Sequence, residues 1–182
     1  MPRKLLNEEL GRVSIAEFRQ QEQRPLALVL DNVRSRHNIG AAFRTADAFA
    51  VREVALCGIC ATPPDAEIHK SALGAEDAVA WRYFESAMQA VEQLRTEGYE
   101  LVAVEQTEAS VMLNRFSLAG GRPCALVFGN EVRGVAQEVV DACDRCLEIP
   151  QHGTKHSLNV SVSMGVVLWE LCRQLKWDGL SV

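Results

Sequence analysis

The sequence predicts an α/β fold, an open and mostly parallel sheet with helices on both faces. Short, continuously apolar runs such as Leu26 to Leu30, Leu101 to Val104 and Ala125 to Phe128 read as strands buried on both sides. Between them lie stretches with apolar residues at three- and four-residue steps, which is helical spacing. No internal repeat and no Gly/Ser/Pro-rich linker interrupts the 182 residues, so one domain spanning 1–182 is expected, with 1–25 as an accessory helical segment.

In the first segment, Ser14 followed by Glu17 makes a capping box for a helix that ends before Pro25. After the strand at Leu26 to Leu30, Ile39, Ala42, Phe43, Ala46 and Phe49 form a helical stripe, and Val54 to Leu56 resumes as a strand. Ser86 and Gln89 form a second capping box, with Met88, Val91 and Leu94 as the apolar face and Gly98 at the helix end. Val135 to Ala142 reads as a short helix and Cys146 to Ile149 as a strand stopped by Pro150. Val160, Met164, Val167, Leu168, Leu171 and Leu175 mark a last helix starting near Ser157.

Composition narrows the class. With 48% hydrophobic and 24% charged residues the chain is an ordinary globular one, large enough to bury roughly 70% of its extended surface. Apolar runs fall well short of the about 18 residues of a membrane span, and Met1 to Arg12 lacks the apolar centre of a secretory signal. A cytoplasmic location without membrane contact is the expectation. The formal charge of −5 argues against binding nucleic acid by bulk electrostatics. Met1 to Arg52 nevertheless carries 9 Lys+Arg against 6 Asp+Glu, or +3, leaving −8 for the remainder. Arg24, Arg34, Arg36 and Arg44 cluster there, either as a solvated face or as a local anion site. The pairs Cys57/Cys60 and Cys143/Cys146 formally permit a four-thiolate zinc site, but Cys57 and Cys146 read as strand residues pointing into a core, and reduced core cysteines are the expectation.

In open parallel sheets ligands sit beyond the carboxyl ends of the strands. The loop from Asp31 to Gly40 places Asn38 as a helix cap and Arg44 about one and a half turns further on, where a guanidinium fork suits a phosphate. Gly129-Asn130-Glu131-Val132-Arg133-Gly134 lets backbone approach a ligand, but it is neither a dinucleotide fingerprint nor a phosphate loop. NAD-linked and nucleotide-hydrolysing functions lose support accordingly. Ile149-Pro150-Gln151-His152-Gly153-Thr154-Lys155-His156-Ser157-Leu158-Asn159 ends at a helix start, where Ser157 and Asn159 serve either as caps or as groups for an anionic or polar ligand. His152 and His156 have no carboxylate motif beside them, and no metal is expected. No G-x-S-x-G elbow marks Ser157 as a nucleophile.

Taken in order, Asn38-Ile39-Gly40-Ala41-Ala42-Phe43-Arg44, Phe128 to Gly134, and Ile149 to Glu170 with Ser157-Leu158-Asn159-Val160-Ser161-Val162 resemble the three motifs of the SpoU/TrmH family. These are SPOUT-class RNA ribose 2′-O-methyltransferases, and the match runs from about Leu26 to Leu175. The resemblance implies a deep C-terminal trefoil knot, S-adenosylmethionine as cofactor, RNA as partner and a homodimer. It implies donor contacts at Gly129, Ile149 and Leu158, with a contribution from Glu105 to Thr107, and it implies Arg44, Asn38, Glu131, Ser157 and Asn159 as catalytic residues. Family dimers pack motif one and the last helix across the subunit boundary, so that Arg44 of one chain completes the partner's site. Arginine is ordinarily always protonated, which favours Arg44 as a charged anchor over its role as base in some family accounts. Gln151, His152 and His156 depart from the family's more apolar third motif and stand where RNA contacts are expected. With no separate RNA-binding domain expected, RNA recognition falls to the first segment's arginines and to Lys70 to Glu76, and a tRNA is favoured over a ribosomal site. A non-catalytic RNA-binding member of the same fold is the alternative.

Overall fold

The computed structural model describes residues 2–175. After a 3-10 turn at Asn7–Leu10 come α1 (Ile15–Gln20), β1 (Arg24–Asp31), α2 (Arg36–Ala48), β2 (Val51–Cys57), α3 (Ala66–Ala72), α4 (Ala75–Ala78) and β3 (Ala80–Phe84). The second half comprises α5 (Ala87–Thr96), β4 (Glu100–Val104), β5 (Val111–Met112), β6 (Cys124–Phe128), α6 (Gln137–Ala142), β7 (Arg145–Glu148) and α7 (Val160–Gln174). All strands join one sheet in the order β3-β2-β1-β6-β4-β7-β5, and every neighbouring pair is parallel. The predicted α/β architecture is thus present, with the entire sheet parallel.

Strand alternation builds two cores. Leu26, Leu28 and Leu30 of β1 face one side with Ile39 and Phe43 of α2, Ile68 of α3 and Met164, Leu168 and Leu171 of α7. Ala27 and Val29 face the other side with Val91 and Leu94 of α5 and Val139 of α6. Each fully buried Leu, Ile or Phe contributes about 1.5–3 kcal/mol by leaving water, so both helical layers are held by their stripes rather than by their caps.

Several boundaries differ from expectation. Asn38 is not the cap of α2: Ser35 is, its hydroxyl accepting the Asn38 backbone N–H at 3.2 Å, so Asn38 sits inside the first turn. The last helix starts at Val160 with Asn159 as its cap, which leaves Ser157 in the preceding loop. The first helix is as expected: Ser14 and Glu17 form their capping box, α1 ends at Gln20, before Pro25, and Phe18 is its buried residue. Ser86 caps α5 by accepting from Gln89, whereas the Gln89 side chain accepts from the Glu85 N–H instead of completing a box. The edge strand β3 was not expected, because Trp81 and Phe84 are its only large apolar residues other than an exposed Tyr83. The reduced-cysteine expectation holds for Cys57 and Cys60, which are buried, while Cys146 is half-buried on β7. Three strands separate β2 from β7, about 19 Å at the usual spacing, so the two cysteine pairs cannot share one ion.

Contact between α2 and α3 fixes where α2 presents its first turn. A Cβ built at Gly40 lies 2.1 Å from Ser71 Oγ and 2.3 Å from the Ile68 carbonyl oxygen, so glycine is needed for the two backbones to touch. Gly40→Ala is expected to lower unfolding free energy by about 1–3 kcal/mol, as overpacking does. Urea denaturation checks this, and an unchanged midpoint would contradict the close approach.

Candidate active site

Strands β1, β6, β4 and β7 lie side by side and end at Asp31, Phe128, Val104 and Glu148, so the loops that follow them meet at one edge of the sheet. A cleft of about 520 Å³ opens there. Its walls come from Val104 to Gln106, Phe128 to Gly134, Leu147 to Ile149 with Gln151, and Ser157 to Val160. That volume falls within the range of about 300–1,000 Å³ usual for small-molecule sites.

Glu131 is the hub of the wall nearest α2. Its carboxylate accepts the backbone N–H of Arg34 at 3.1 Å and of Ser35 at 3.0 Å, and the Asn38 Nδ2 at 3.0 Å. Asn38 is buried, and its Oδ1 accepts from Asn159 Nδ2 at 3.3 Å. Asn159 Oδ1 in turn accepts the Ser161 N–H at 2.9 Å and hydroxyl at 2.5 Å, capping α7. One chain of hydrogen bonds therefore joins residues 93 and 121 positions apart in sequence. Partial burial pushes the Glu131 pKa up, but the N–H donors of Arg34 and Ser35 with the Asn38 amide outweigh it and hold the group below its ordinary 4.5. An anion so engaged has few lone pairs left for a substrate proton, which makes Glu131 a structural anchor.

The loop after β6 is braced from below. Glu105 accepts the Val135 N–H at 2.9 Å and the Gln106 N–H at 2.9 Å, while Asp31 accepts the Ala136 N–H at 3.0 Å. Gly134 adopts φ +69°, and a Cβ there would meet Glu105 Oε2 at 2.1 Å. At Gly129 a Cβ would fall 2.0 Å from the Gly134 carbonyl carbon and 2.1 Å from the Val135 nitrogen. Asn130, whose role the sequence did not single out, accepts from the Val132 and Arg133 N–H groups and donates to the Asn32 carbonyl at 2.7 Å. Its turn-forming side chain is the signal that would have identified it.

Of the expected residues, Asn38, Glu131 and Asn159 are brought together, and Gly129, Ile149, Leu158, Ser157 and Glu105 line the cleft. Thr107 lies in the turn closed by Ser110 and not in the cleft wall. Arg44 is exposed on α2, about 9 Å along the helix axis from Asn38, and does not line this chain's cleft. In the Lys70 to Glu76 stretch expected to meet RNA, Lys70 is paired with Glu67 and Glu76 with His69, both at 2.6 Å.

Parallel order, a cleft at the strand ends and a hydrogen-bonded join of three separated motifs define the class: an α/β domain of the SpoU/TrmH type. The SpoU rRNA Methylase family pattern matches residues 25–169, and the chain belongs to that family. It is 38% identical over 149 residues to the 23S rRNA (guanosine-2′-O-)-methyltransferase RlmB of Nitrosomonas europaea, covering 82% of this chain and 56% of that protein. It is 31% identical to the tRNA (guanosine(18)-2′-O)-methyltransferase of Aquifex aeolicus, covering 91% of this chain and 77% of that one. Among solved structures, the A. aeolicus TrmH/SpoU tRNA modifying enzyme superposes with a TM-score of 0.75 at 30% identity, covering 88% of this chain and 81% of its own. The AdoMet-bound rRNA methyltransferase of Sinorhizobium meliloti gives 0.78 at 28% identity, covering 91% of this chain and 62% of its own.

A depressed carboxylate stabilises the fold above its unfolded pKa, and that contribution is lost as pH falls through the lower folded value. Wild-type melting temperature is therefore expected to drop more steeply between about pH 5 and about pH 3 than that of Glu131→Gln, which has no such titration. At neutral pH the variant leaves one loop N–H poorly paired, a cost of about 1 kcal/mol. Parallel pH slopes for the two proteins would refute the role given to Glu131.

Proposed function

We propose that the chain is an S-adenosylmethionine-dependent RNA ribose 2′-O-methyltransferase working in the cytoplasm as a homodimer, with a tRNA as the favoured substrate. The observation that carries this reading is the Asn38–Glu131–Asn159 join beside the cleft, because it unites the three motifs by which the family is recognised. The named activities of the RNA-methylating relatives support it. No helix of the described residues is long and apolar enough to cross a membrane.

The cleft suits the donor by the kind of group it offers. Gly129 allows main chain to form the floor, and backbone at Ile149 and Leu158 with the Gln151 amide would hold the adenosine and amino-acid ends. When bound, the donor supplies a sulfonium methyl group. Asn38 and Asn159 orient the ribose at the cleft mouth, and Ser157 adds a hydroxyl there. Arg34, Arg44, Arg133 and Lys155 are exposed, with no carboxylate at ion-pair distance among the described residues, which favours phosphate contacts. Arg44 grips a phosphate through its guanidinium fork and stabilises the ribose oxygen as the hydroxyl proton passes to solvent, so that positioning and electrostatics supply the acceleration.

A knotted C-terminal segment is supported by the strand order: β7 lies between β4 and β5, which precede it, and the chain then carries α7 back onto α2. A dimer is favoured by the outer face of α7, where Val162 is 51% exposed, Val166 38% and Trp169 56%, at steps of four and three. A second copy covering that stripe would bring Arg44 to the neighbouring cleft.

Transfer of labelled methyl to tRNA and 23S rRNA transcripts, with nuclease mapping of the product, tests the reaction. Arg44→Lys is expected to lose at least tenfold in kcat/KM because a point charge does not replace the fork, and near-normal turnover would refute the anchor role. Mixing Arg44→Ala subunits with subunits defective in donor binding should restore activity above either parent if sites are shared. Val162→Glu is expected to yield monomers in sedimentation and to abolish turnover, and an active monomer would refute the shared site.

A further inference from the structure

We infer that Gln106 is a positioning residue whose side-chain amide holds the outer wall of the cleft, residues 150–158, in place for the donor. This rests on the donor-binding reading above. The wall segment joins β7 to α7 as a run of bends, and its residues 152–158 are all exposed. Among the hydrogen bonds of the described residues, one alone ties it to the rest of the molecule: Gln106 Nε2 donates to the His156 carbonyl oxygen at 2.8 Å. The same segment supplies Gln151, Ser157 and Leu158 to the cleft.

Gln106 can act as a post because its own backbone is fixed. Its N–H donates to Glu105 Oε1 at 2.9 Å, Glu105 N–H donates to the Leu147 carbonyl at 3.0 Å, and Glu105 Oε2 accepts from Val135 at 2.9 Å. The bond to residue 156 thus links the ends of β4, β6 and β7 to a wall that has no other hydrogen bond to the rest of the molecule among the described residues. A wall already in position spares the donor the entropy of ordering it, so removing the tether weakens donor binding more than it slows the chemical step. Since the acceptor is a main-chain oxygen, the side chain of His156 is left free to face outward.

Titration calorimetry with S-adenosylmethionine, limited trypsin digestion and initial-rate kinetics test this on Gln106→Ala and on Gln106→Glu, which keeps the length but cannot donate. Both variants are expected to raise the donor Kd and KM by about 5- to 10-fold, the loss of one hydrogen bond, with a smaller change in kcat. Both should also speed trypsin cleavage after Lys155 in the donor-free protein, read as the mass of the released fragments, without lowering the melting temperature. Wild-type Kd and cleavage rate in both variants would overturn the inference, as would a fall in kcat at unchanged KM. If the wild-type chain takes up no donor, the proposed function fails, while the cleavage rates still decide whether Gln106 holds the segment.

Discussion

An anion at the rim of the cleft, engaged by main-chain donors, is the constraint on which the site depends. Glu131 binds the loop before α2 through two backbone N–H groups and fixes Asn38 through a third bond, so the register of α2 against the β6 loop is set by one carboxylate. Asn38 then meets Asn159 at the start of α7. Each partner is held by groups from a different strand end, which means that no element can shift without unpairing a polar group in its neighbour. The backbone contact between α2 and α3 at Gly40 holds the same helix from its other side.

Floor and walls of the cleft follow a similar logic. Asp31 and Glu105 each spend carboxylate oxygens on backbone N–H groups of the loop after β6, and glycine at 129 and 134 lets that loop fold onto itself. Charged side chains whose types suggest direct chemistry serve instead to shape main chain. That arrangement leaves amides and backbone groups to face a bound molecule, consistent with a site that carries no side-chain signature for its cofactor.

Much of this was legible in the sequence. Strands such as Leu26 to Leu30 and the stripe from Val160 to Leu171 declare themselves because burial on one or both faces imposes a period on residue type. The edge strand β3 did not, since a half-covered strand with Arg82 and Tyr83 has no such period. Capping preference identifies residue type and not which of several polar neighbours takes the position: Ser35 rather than Asn38 caps α2, and of the two candidates Ser157 and Asn159 it is Asn159 that caps α7. The partnership of Asn38, Glu131 and Asn159 followed from motif order but not from spacing, as their contacts depend on which strands become neighbours. Arg44 is the informative case. Its chemistry and its six-residue offset from Asn38 were readable, but spacing alone did not show that it stands outside this chain's cleft; only the family resemblance pointed it elsewhere.

Strand order also shapes how the chain comes together. β1 and β4 have β6 between them, so until the stretch from Cys124 to Phe128 is made both present an unfilled inner edge lined by aliphatic residues. A nascent chain emerging from the ribosome therefore completes its central pairing only after Phe128 has been synthesised. For that interval its earliest strands are open templates for pairing with other chains.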